Sequence, residues 1–148
     1  MKILAARSRD NGRTPMQWSA QQYAGFSTKK PWILLAKNYP AINVEAAQKD
    51  ENSILAFYKL LIKLRHEMPI IAEGDIRFVE EVNPDVIAYE RTWHGERLTV
   101  FCNFRPTSVR LRHASLQDFA GAQKLVGNYP DMEEYLRPYE VLAFYRQM

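Results

Sequence analysis

A periodic run of apolar residues predicts one long helix between Asn52 and Met68. Its apolar positions recur at the spacing of a single helix face, and they are Ile54, Phe57, Tyr58, Leu61, Leu64 and Met68. Asn52 or Ser53 supplies an N-cap, and Pro69 prevents the helix from continuing. Further apolar residues widen the stripe, so we expect the helix to pack against more than one layer.

After Pro69 the apolar period becomes two, which is typical of strands. Strands are predicted at Ile76–Phe78, Val86–Trp93, Leu98–Phe104, Val109–Leu111, Lys124–Val126 and Val141–Tyr145, with turns at Asn83-Pro84-Asp85 and His94-Gly95-Glu96. In the third strand the alternation predicts an apolar side formed by Leu98, Val100 and Cys102. Short strands at this spacing predict a mainly β fold, with a C-terminal antiparallel β-sandwich.

The first 50 residues show neither a helical nor a strand period. Gly and Pro residues interrupt them repeatedly, so this part of the chain is predicted to be a long irregular segment. Loops longer than about 15 residues are uncommon unless they are functional or lie against another structure. We therefore expect two parts, with residues 1–68 holding the irregular segment and the long helix and residues 69–148 forming the β-sandwich domain.

Length and composition limit the classes of protein. The chain has 148 residues, of which 47% are hydrophobic, so it can bury a core but is too short for a complete (β/α)8 barrel of roughly 250 residues. A single cysteine, Cys102, excludes an intrachain disulfide and a structural zinc site, and it favours a reducing, cytoplasmic setting. No apolar run has the length of a signal-peptide core or a membrane span, so no membrane partner is expected.

The charge distribution argues against nucleic-acid binding. The formal net charge is +3, and it divides into +6 for residues 1–67 and −3 for residues 68–148. The cations are scattered singly apart from Lys29-Lys30, whereas a nucleic-acid site needs a basic stripe or a known motif. The sequence also predicts no cofactor and no metal site.

The richest motif is Ser8-Arg9-Asp10-Asn11-Gly12-Arg13-Thr14-Pro15-Met16-Gln17-Trp18. Two arginines flank an acid and an amide in a loop held by Gly and Pro, and an aromatic residue follows. Such a loop can offer forked donors to the hydroxyls of a sugar or to a carboxylate. The alternative is that Arg9 and Asp10 form an ion pair that only stabilises the loop.

This motif resembles a stretch of the α-glucosidases of glycoside hydrolase family 13. The resemblance extends over nearly the whole chain, through Ala24-Gly25-Phe26-Ser27, Pro31-Trp32-Ile33, Asn38-Tyr39, Ile42-Asn43-Val44, Ala88-Tyr89-Glu90-Arg91, Val100-Phe101-Cys102-Asn103-Phe104 and Leu136-Arg137-Pro138-Tyr139-Glu140. The branch it is most similar to contains oligo-1,6-glucosidase, dextran glucosidase and trehalose-6-phosphate hydrolase.

The resemblance implies an enzyme with a catalytic (β/α)8 barrel, an inserted subdomain and a C-terminal β-sandwich. Residues 1–68 would then be the terminal loop and last helix of a truncated barrel. A retaining glycosidase needs two carboxylates about 5 Å apart, and the resemblance places them on earlier strands that are not in this sequence. No catalytic residue is therefore expected here. The resemblance assigns Arg9 to the terminal glucosyl unit, and Arg13 is a second candidate that either binds substrate or holds the loop.

Other chemistry-bearing residues have ordinary explanations. The acids Asp75, Glu80, Glu81 and Asp85 fall near strand ends or turns, where charged residues are common. The three histidines have no Ser or Cys partner at motif spacing, and Cys102 is expected to be a buried, inert thiol. Trp18 and Trp32 are expected to be packing residues.

Three functions therefore remain open. The first is the C-terminal part of an exo-acting α-glucosidase that cleaves α-1,6 or related bonds of oligosaccharides and is inactive by itself. The second is the C-terminal part of a trehalose-6-phosphate hydrolase. The third is a stand-alone carbohydrate-binding or subunit-interaction module. In each case the exposed helix predicts self-association.

Overall fold

The computed structural model describes residues 12–79, 85–111, 119 and 121–148. These residues fall into two compact units that divide between Lys63 and Leu64. The predicted turn at Asn83 and Pro84 and the residues before Gly12 lie outside the described part of the chain.

The N-terminal unit contains more helix than its sequence pattern predicts. A 3-10 helix spans Gln22–Gly25, helix α1 spans Val44–Lys49, and helix α2 begins within this unit and spans Ile54–Glu67. The predicted long helix is thus confirmed. Ser53 is its cap, because the Ser53 hydroxyl accepts a hydrogen bond of 3.1 Å from the backbone amide of Ala56.

The C-terminal unit is built around one antiparallel sheet. Its strands are β1 (Asp75–Phe78), β2 (Val86–Trp93), β3 (Glu96–Asn103), β4 (Gln123–Gly127) and β5 (Val141–Gln147). They lie in the order β1-β2-β3-β5-β4. The mainly β prediction is confirmed, and five of the six predicted strands are present.

Helix α3 (Pro69–Glu73) is an element that the sequence analysis missed. Proline ends a preceding helix, but it is also favoured in the first turn of a new one, because its missing amide would be unpaired there. The backbone amide of Gly74 donates a hydrogen bond of 3.2 Å to the carbonyl of Ile70 at the end of α3. A Cβ at this position would lie 2.5 Å from that oxygen, which explains the glycine. The helix packs against β2 and β3.

The predicted apolar face of β3 is buried at Leu98 and Val100, but Cys102 on the same face is only partly buried. The opposite face is buried as well: Phe101 lies in one cluster with its cross-strand partners, Ala88 on β2 and Leu142 on β5. Alternation within β3 could not predict that both faces are covered.

A second full sheet is not found among the described residues. The predicted strand Val109–Leu111 forms only an isolated bridge between Val109 and Leu136, and both residues join the core cluster. Val109 and Leu136 exchange both backbone hydrogen bonds, so the next ladder donor in this direction would be residue 138, and Pro138 has no amide to donate. This bridge supplies the layer opposite the sheet.

Candidate functional site

The N-terminal unit contains a cavity of about 720 Å³ that joins two segments of the predicted irregular region. We call it the basic cavity. Its lining consists of Arg13, Thr14, Pro15, Met16, Phe26, Ser27, Lys29, Lys30, Pro31, Trp32 and Ile33. Part of the glucosidase-like motif thus lies beside the Lys29-Lys30 pair, which is 16 residues further along the chain.

A tight backbone turn shapes one side of the basic cavity. Tyr23 and Ala24 have left-handed φ angles of 55° and 58°. Non-glycine residues rarely adopt this region, because it strains the backbone. The strain is offset here by two hydrogen bonds, of 2.9 and 3.0 Å, that the carbonyl of Ala24 accepts from the backbone amides of Trp18 and Ser19. The turn leads directly to Phe26 in the cavity wall.

Gln17, the residue after the cavity-lining Met16, anchors its own segment to the chain ahead of α1. Its side-chain amide donates to the backbone carbonyl of Ile42 (2.5 Å) and to the side-chain oxygen of Asn38 (3.3 Å). Its backbone carbonyl accepts a hydrogen bond from the backbone amide of Val44 (2.9 Å). These bonds hold the segment beginning at Thr14 against the start of α1. The lining is therefore supported by defined hydrogen bonds although it belongs to no long element.

The basic cavity is positively charged. Arg13, Lys29 and Lys30 are all exposed, and no Asp or Glu is among the described lining residues. Within the described part of the chain, none of these three cations forms an ion pair with a carboxylate.

Trp32 is 87% exposed within this chain, and Phe26 beside it is 49% exposed. Because the chain spans about a quarter of its relatives' length, the expectation that Trp32 is a packing residue stays a prediction. Trp18 is half-exposed. Pro31 and Ile33 flank Trp32 in the cavity lining, where an indole face is open to a ligand.

Of the two predicted substrate-binding residues, the structure describes Arg13 but not Arg9. Arg9 and its neighbours Asp10 and Asn11 lie outside the described residues. Arg13 lies in the wall of the basic cavity. Its role as a substrate residue or a loop brace stays a prediction. The sequence analysis noted Lys29-Lys30 and Trp32 but did not place them beside Arg13, because the two segments are distant along the chain.

A second cavity, of about 610 Å³, is an apolar groove in the same unit. Residues Thr14–Gln17 and Ile42–Val44 form one side, and Ile54, Tyr58 and Ile62 of α2 form the other. These three helix residues are all exposed. The apolar stripe of α2 is thus largely open to solvent and no residue of α2 is buried, so the layers that it was expected to pack against are not found among the described residues.

The other acids named from the sequence form no described site. Asp85 forms a salt bridge of 2.6 Å with Arg105, Asp75 is exposed on β1, and Glu80 and Glu81 lie outside the described residues. Burial raises the pKa of the Cys102 thiol above its ordinary value, which disfavours the reactive thiolate. No cluster of His, Cys, Asp or Glu among the described residues could hold a metal ion. In the same part of the chain, no helix is both long and apolar enough to cross a membrane.

Two family models match the chain in sequence. The α-amylase catalytic domain matches residues 1–74, and the C-terminal domain of maltogenic amylase matches residues 76–129. The chain therefore belongs to the α-amylase family, glycoside hydrolase family 13, as its motifs indicated.

Individual relatives agree with this assignment. The chain is 38% identical to oligo-1,6-glucosidase of Bacillus cereus, over 97% of this chain and 27% of that protein. It is 45% identical to trehalose-6-phosphate hydrolase of Escherichia coli K12, over 70% of this chain and 19% of that protein. The solved trehalose-6-phosphate hydrolase of Bacillus licheniformis matches with a TM-score of 0.85 at 36% identity, over 99% of this chain and 28% of that structure. The chain thus spans about a quarter of the length of such relatives.

Proposed function

We propose that this chain is the C-terminal part of an exo-acting α-glucosidase that hydrolyses α-1,6 or related glucosidic bonds of oligosaccharides. The observation that carries the proposal is the match to oligo-1,6-glucosidases over 97% of the chain. In this proposal residues 1–68 complete the catalytic barrel, and residues 69–148 form the C-terminal β domain.

The chain contributes binding groups rather than the reacting carboxylates. Hydrolysis with retention requires a nucleophile and an acid/base carboxylate about 5 Å apart, and the family resemblance assigns both to a part of the barrel outside this sequence. Arg9 donates forked hydrogen bonds to hydroxyls of the terminal glucosyl unit, and Arg13 extends the same loop. No cofactor is needed for this chemistry.

Fragment complementation tests the proposal. The purified chain alone is expected to release no nitrophenol from nitrophenyl α-glucoside. Co-expression with the Bacillus cereus oligo-1,6-glucosidase lacking its matching quarter is expected to restore turnover. Turnover by the isolated chain, lost on a substitution within it, would contradict the proposal. So would a soluble complex of the two pieces that has no activity.

A second candidate is the C-terminal part of a trehalose-6-phosphate hydrolase. It is favoured by the three unpaired cations of the basic cavity, and by the 45% identity to the Escherichia coli enzyme. Complementation of the Escherichia coli trehalose-6-phosphate hydrolase lacking its matching fifth, run beside that of the Bacillus cereus enzyme, separates the two candidates. Restored turnover only of trehalose-6-phosphate in the first supports the phosphorylated substrate, and restored turnover only of isomaltose in the second supports the oligosaccharide.

Two further features belong to the proposal. We place the enzyme in the cytoplasm, because the thiol of Cys102 needs no oxidising compartment. Copies of the isolated chain associate through the exposed stripe of Ile54, Tyr58 and Ile62, because apolar patches of this kind favour contact. Light scattering should show a mass above that of a monomer. Tyr58→Glu places a charge in the apolar stripe and should lower the measured mass towards that of a monomer. A monomer at all concentrations would contradict self-association.

A further inference from the structure

We propose that Gln17 is a positioning residue for the arginine loop, residues 9–13 of the chain. Its side chain fixes the segment that follows the loop and acts on substrate binding through the arginines, without contacting the sugar. The proposal rests on the proposed function, in which Arg9 binds the terminal glucosyl unit, and it adds a supporting residue to that site.

The side chain of Gln17 bonds to parts of the chain that are more than 20 residues away. Its amide nitrogen donates to the backbone carbonyl of Ile42 and to the side-chain oxygen of Asn38, and we call these two bonds the Gln17 clamp. A glutamine amide has two N–H donors, and the clamp uses both. Since both partners are oxygen acceptors, the position requires a side chain that donates.

The start of α1 holds the same segment through its backbone. The amides of Val44 and Glu45 donate to the carbonyls of Gln17 and Trp18, at 2.9 and 3.0 Å. Amides in the first turn of a helix have no partner within the helix, so these two donors are free to bind another segment. The segment is thus attached to the end of a regular element.

A strained turn holds the segment from a second direction. Tyr23, Ala24 and Gly25 are three consecutive left-handed residues, with φ angles of 55°, 58° and 64°. The carbonyl of Ala24 accepts from the amides of Trp18 and Ser19, and a Cβ at Gly25 would lie 2.6 Å from the hydroxyl oxygen of Ser19. Strain of this kind persists where the surroundings fix it, and it is concentrated at functional sites. It points to a segment whose exact position matters.

The connection from Gln17 to the arginine loop is short and stiff. Only three residues separate Gln17 from Arg13, and among them Pro15 is buried and has a fixed φ angle. Thr14 precedes the proline and is therefore restricted to extended conformations. A displacement at Gln17 is thus passed on to Arg13 and towards Arg9. A misplacement of about 1 Å in a binding group can lower a rate by roughly a hundredfold.

Hydrogen exchange in the 148-residue chain tests the clamp without any substrate. Gln17→Met keeps the length of the side chain, suits the apolar groove that Gln17 also lines, and has no N–H donor. Exchange at the amides of Val44 and Glu45 should become at least threefold faster. Gln21→Met is the matched control, because Gln21 is an exposed glutamine of the same segment whose side chain makes none of the described hydrogen bonds. It should leave both rates unchanged, and a melting curve checks that each variant is folded.

Kinetics of the complemented enzyme with nitrophenyl α-glucoside test the positioning role. Gln17→Met should lower kcat/KM about five- to tenfold, and Gln21→Met should change it less than twofold. In the Arg9→Lys background, Gln17→Met should lower kcat/KM less than twofold, because residues that act as one unit are not additive. A residue that only stabilises the fold would act by the same factor in both backgrounds.

Three results would overturn the proposal. They are unchanged exchange at Val44 and Glu45 in Gln17→Met, a kcat/KM of Gln17→Met equal to that of Gln21→Met, and an equal loss of kcat/KM in both Arg9 backgrounds. Failure of the proposed function is distinguishable, because it would appear as an absence of turnover in the unchanged complemented enzyme. The exchange rates decide the clamp in either case.

Discussion

The side chain of Arg137 donates two hydrogen bonds, of 2.9 and 3.2 Å, to the carboxylate of Glu140, whose side chain is completely buried. The same guanidinium group bonds Asp131 (2.7 Å) and lies 4.1 Å from the centre of the Tyr129 ring. The backbone carbonyl of Glu140 accepts from the amide of Asn103 at the end of β3. This cluster therefore fastens the segment before β5 to the sheet.

Replacing Glu140 with alanine should strongly destabilise the C-terminal unit. The substitution leaves Arg137, whose side chain is only 15% exposed, without its buried partner. Arg137 keeps its hydrogen bond to Asp131, but its backbone amide and guanidinium both lose the buried carboxylate that accepts from them, so the loss should exceed that of an exposed pair. Urea unfolding followed by circular dichroism measures the change, and Glu134→Ala is the control because Glu134 belongs to an exposed pair with Arg110 and should cost at most about 1 kcal/mol. Equal effects of the two substitutions would contradict the structural role of the buried pair.

Asp131 should make the stability of this unit depend on acid pH. The hydrogen bond from the Arg137 side chain holds the pKa of Asp131 below its ordinary value. Since the native pKa is lowered, the contribution is fully present above the unfolded pKa of about 4 and is lost as pH falls through the native pKa. Below about pH 4, the free energy of unfolding should therefore fall less steeply with decreasing pH in Asp131→Asn than in the unchanged chain.

An NMR titration provides the control for this pH dependence. The Asp131 carboxyl group should titrate below its ordinary value in the folded chain and return to that value in urea. A native pKa at or above the ordinary value would show that the bond to Arg137 does not persist in solution.

Asn43→Ala should loosen α1. Asn43 is buried, its side-chain oxygen accepts from the amide of Ala46 (2.9 Å), and its side-chain nitrogen donates to the carbonyl of Tyr39 (2.9 Å). Loss of an N-cap costs about 0.5–2 kcal/mol. Hydrogen exchange at the Ala46 amide should therefore become about two- to thirtyfold faster. Asn52→Ala, at an exposed site, is the control and should leave this rate unchanged. An unchanged rate in Asn43→Ala would contradict the cap.

Arg9→Lys should act on kinetics in the complemented enzyme. Lysine keeps the charge but removes the fork that binds two hydroxyls. Loss of one charge-assisted hydrogen bond costs about 1.5–3 kcal/mol, so kcat/KM should fall roughly ten- to more than a hundredfold. A lower melting temperature with unchanged kcat/KM would instead make Arg9 a brace of the loop.

The sequence alone determined the elements whose causes are local. The long helix could be predicted because its apolar spacing, its Ser53 cap and its terminating Pro69 all lie within one stretch of chain. The bounds of β2 could be predicted because alternation stops at a two-residue turn, where His94 and Gly95 have positive φ angles of 44° and 83°. The family motif likewise consists of contiguous residues, so it needed no structure to be noticed.

The tertiary structure decided what depends on neighbours distant in sequence. Phe101 became core because Ala88 and Leu142 lie beside it on the paired strands, a relationship that alternation within β3 cannot contain. The second layer is a single bridge because the next ladder donor beyond Leu136 would be residue 138, which is a proline without an amide. Arg13 lies in one cavity with Lys29 and Lys30 because the turn at Tyr23 and Ala24 reverses the direction of the chain between them. Burial and convergence are properties of several segments at once, whereas a sequence pattern reports on one.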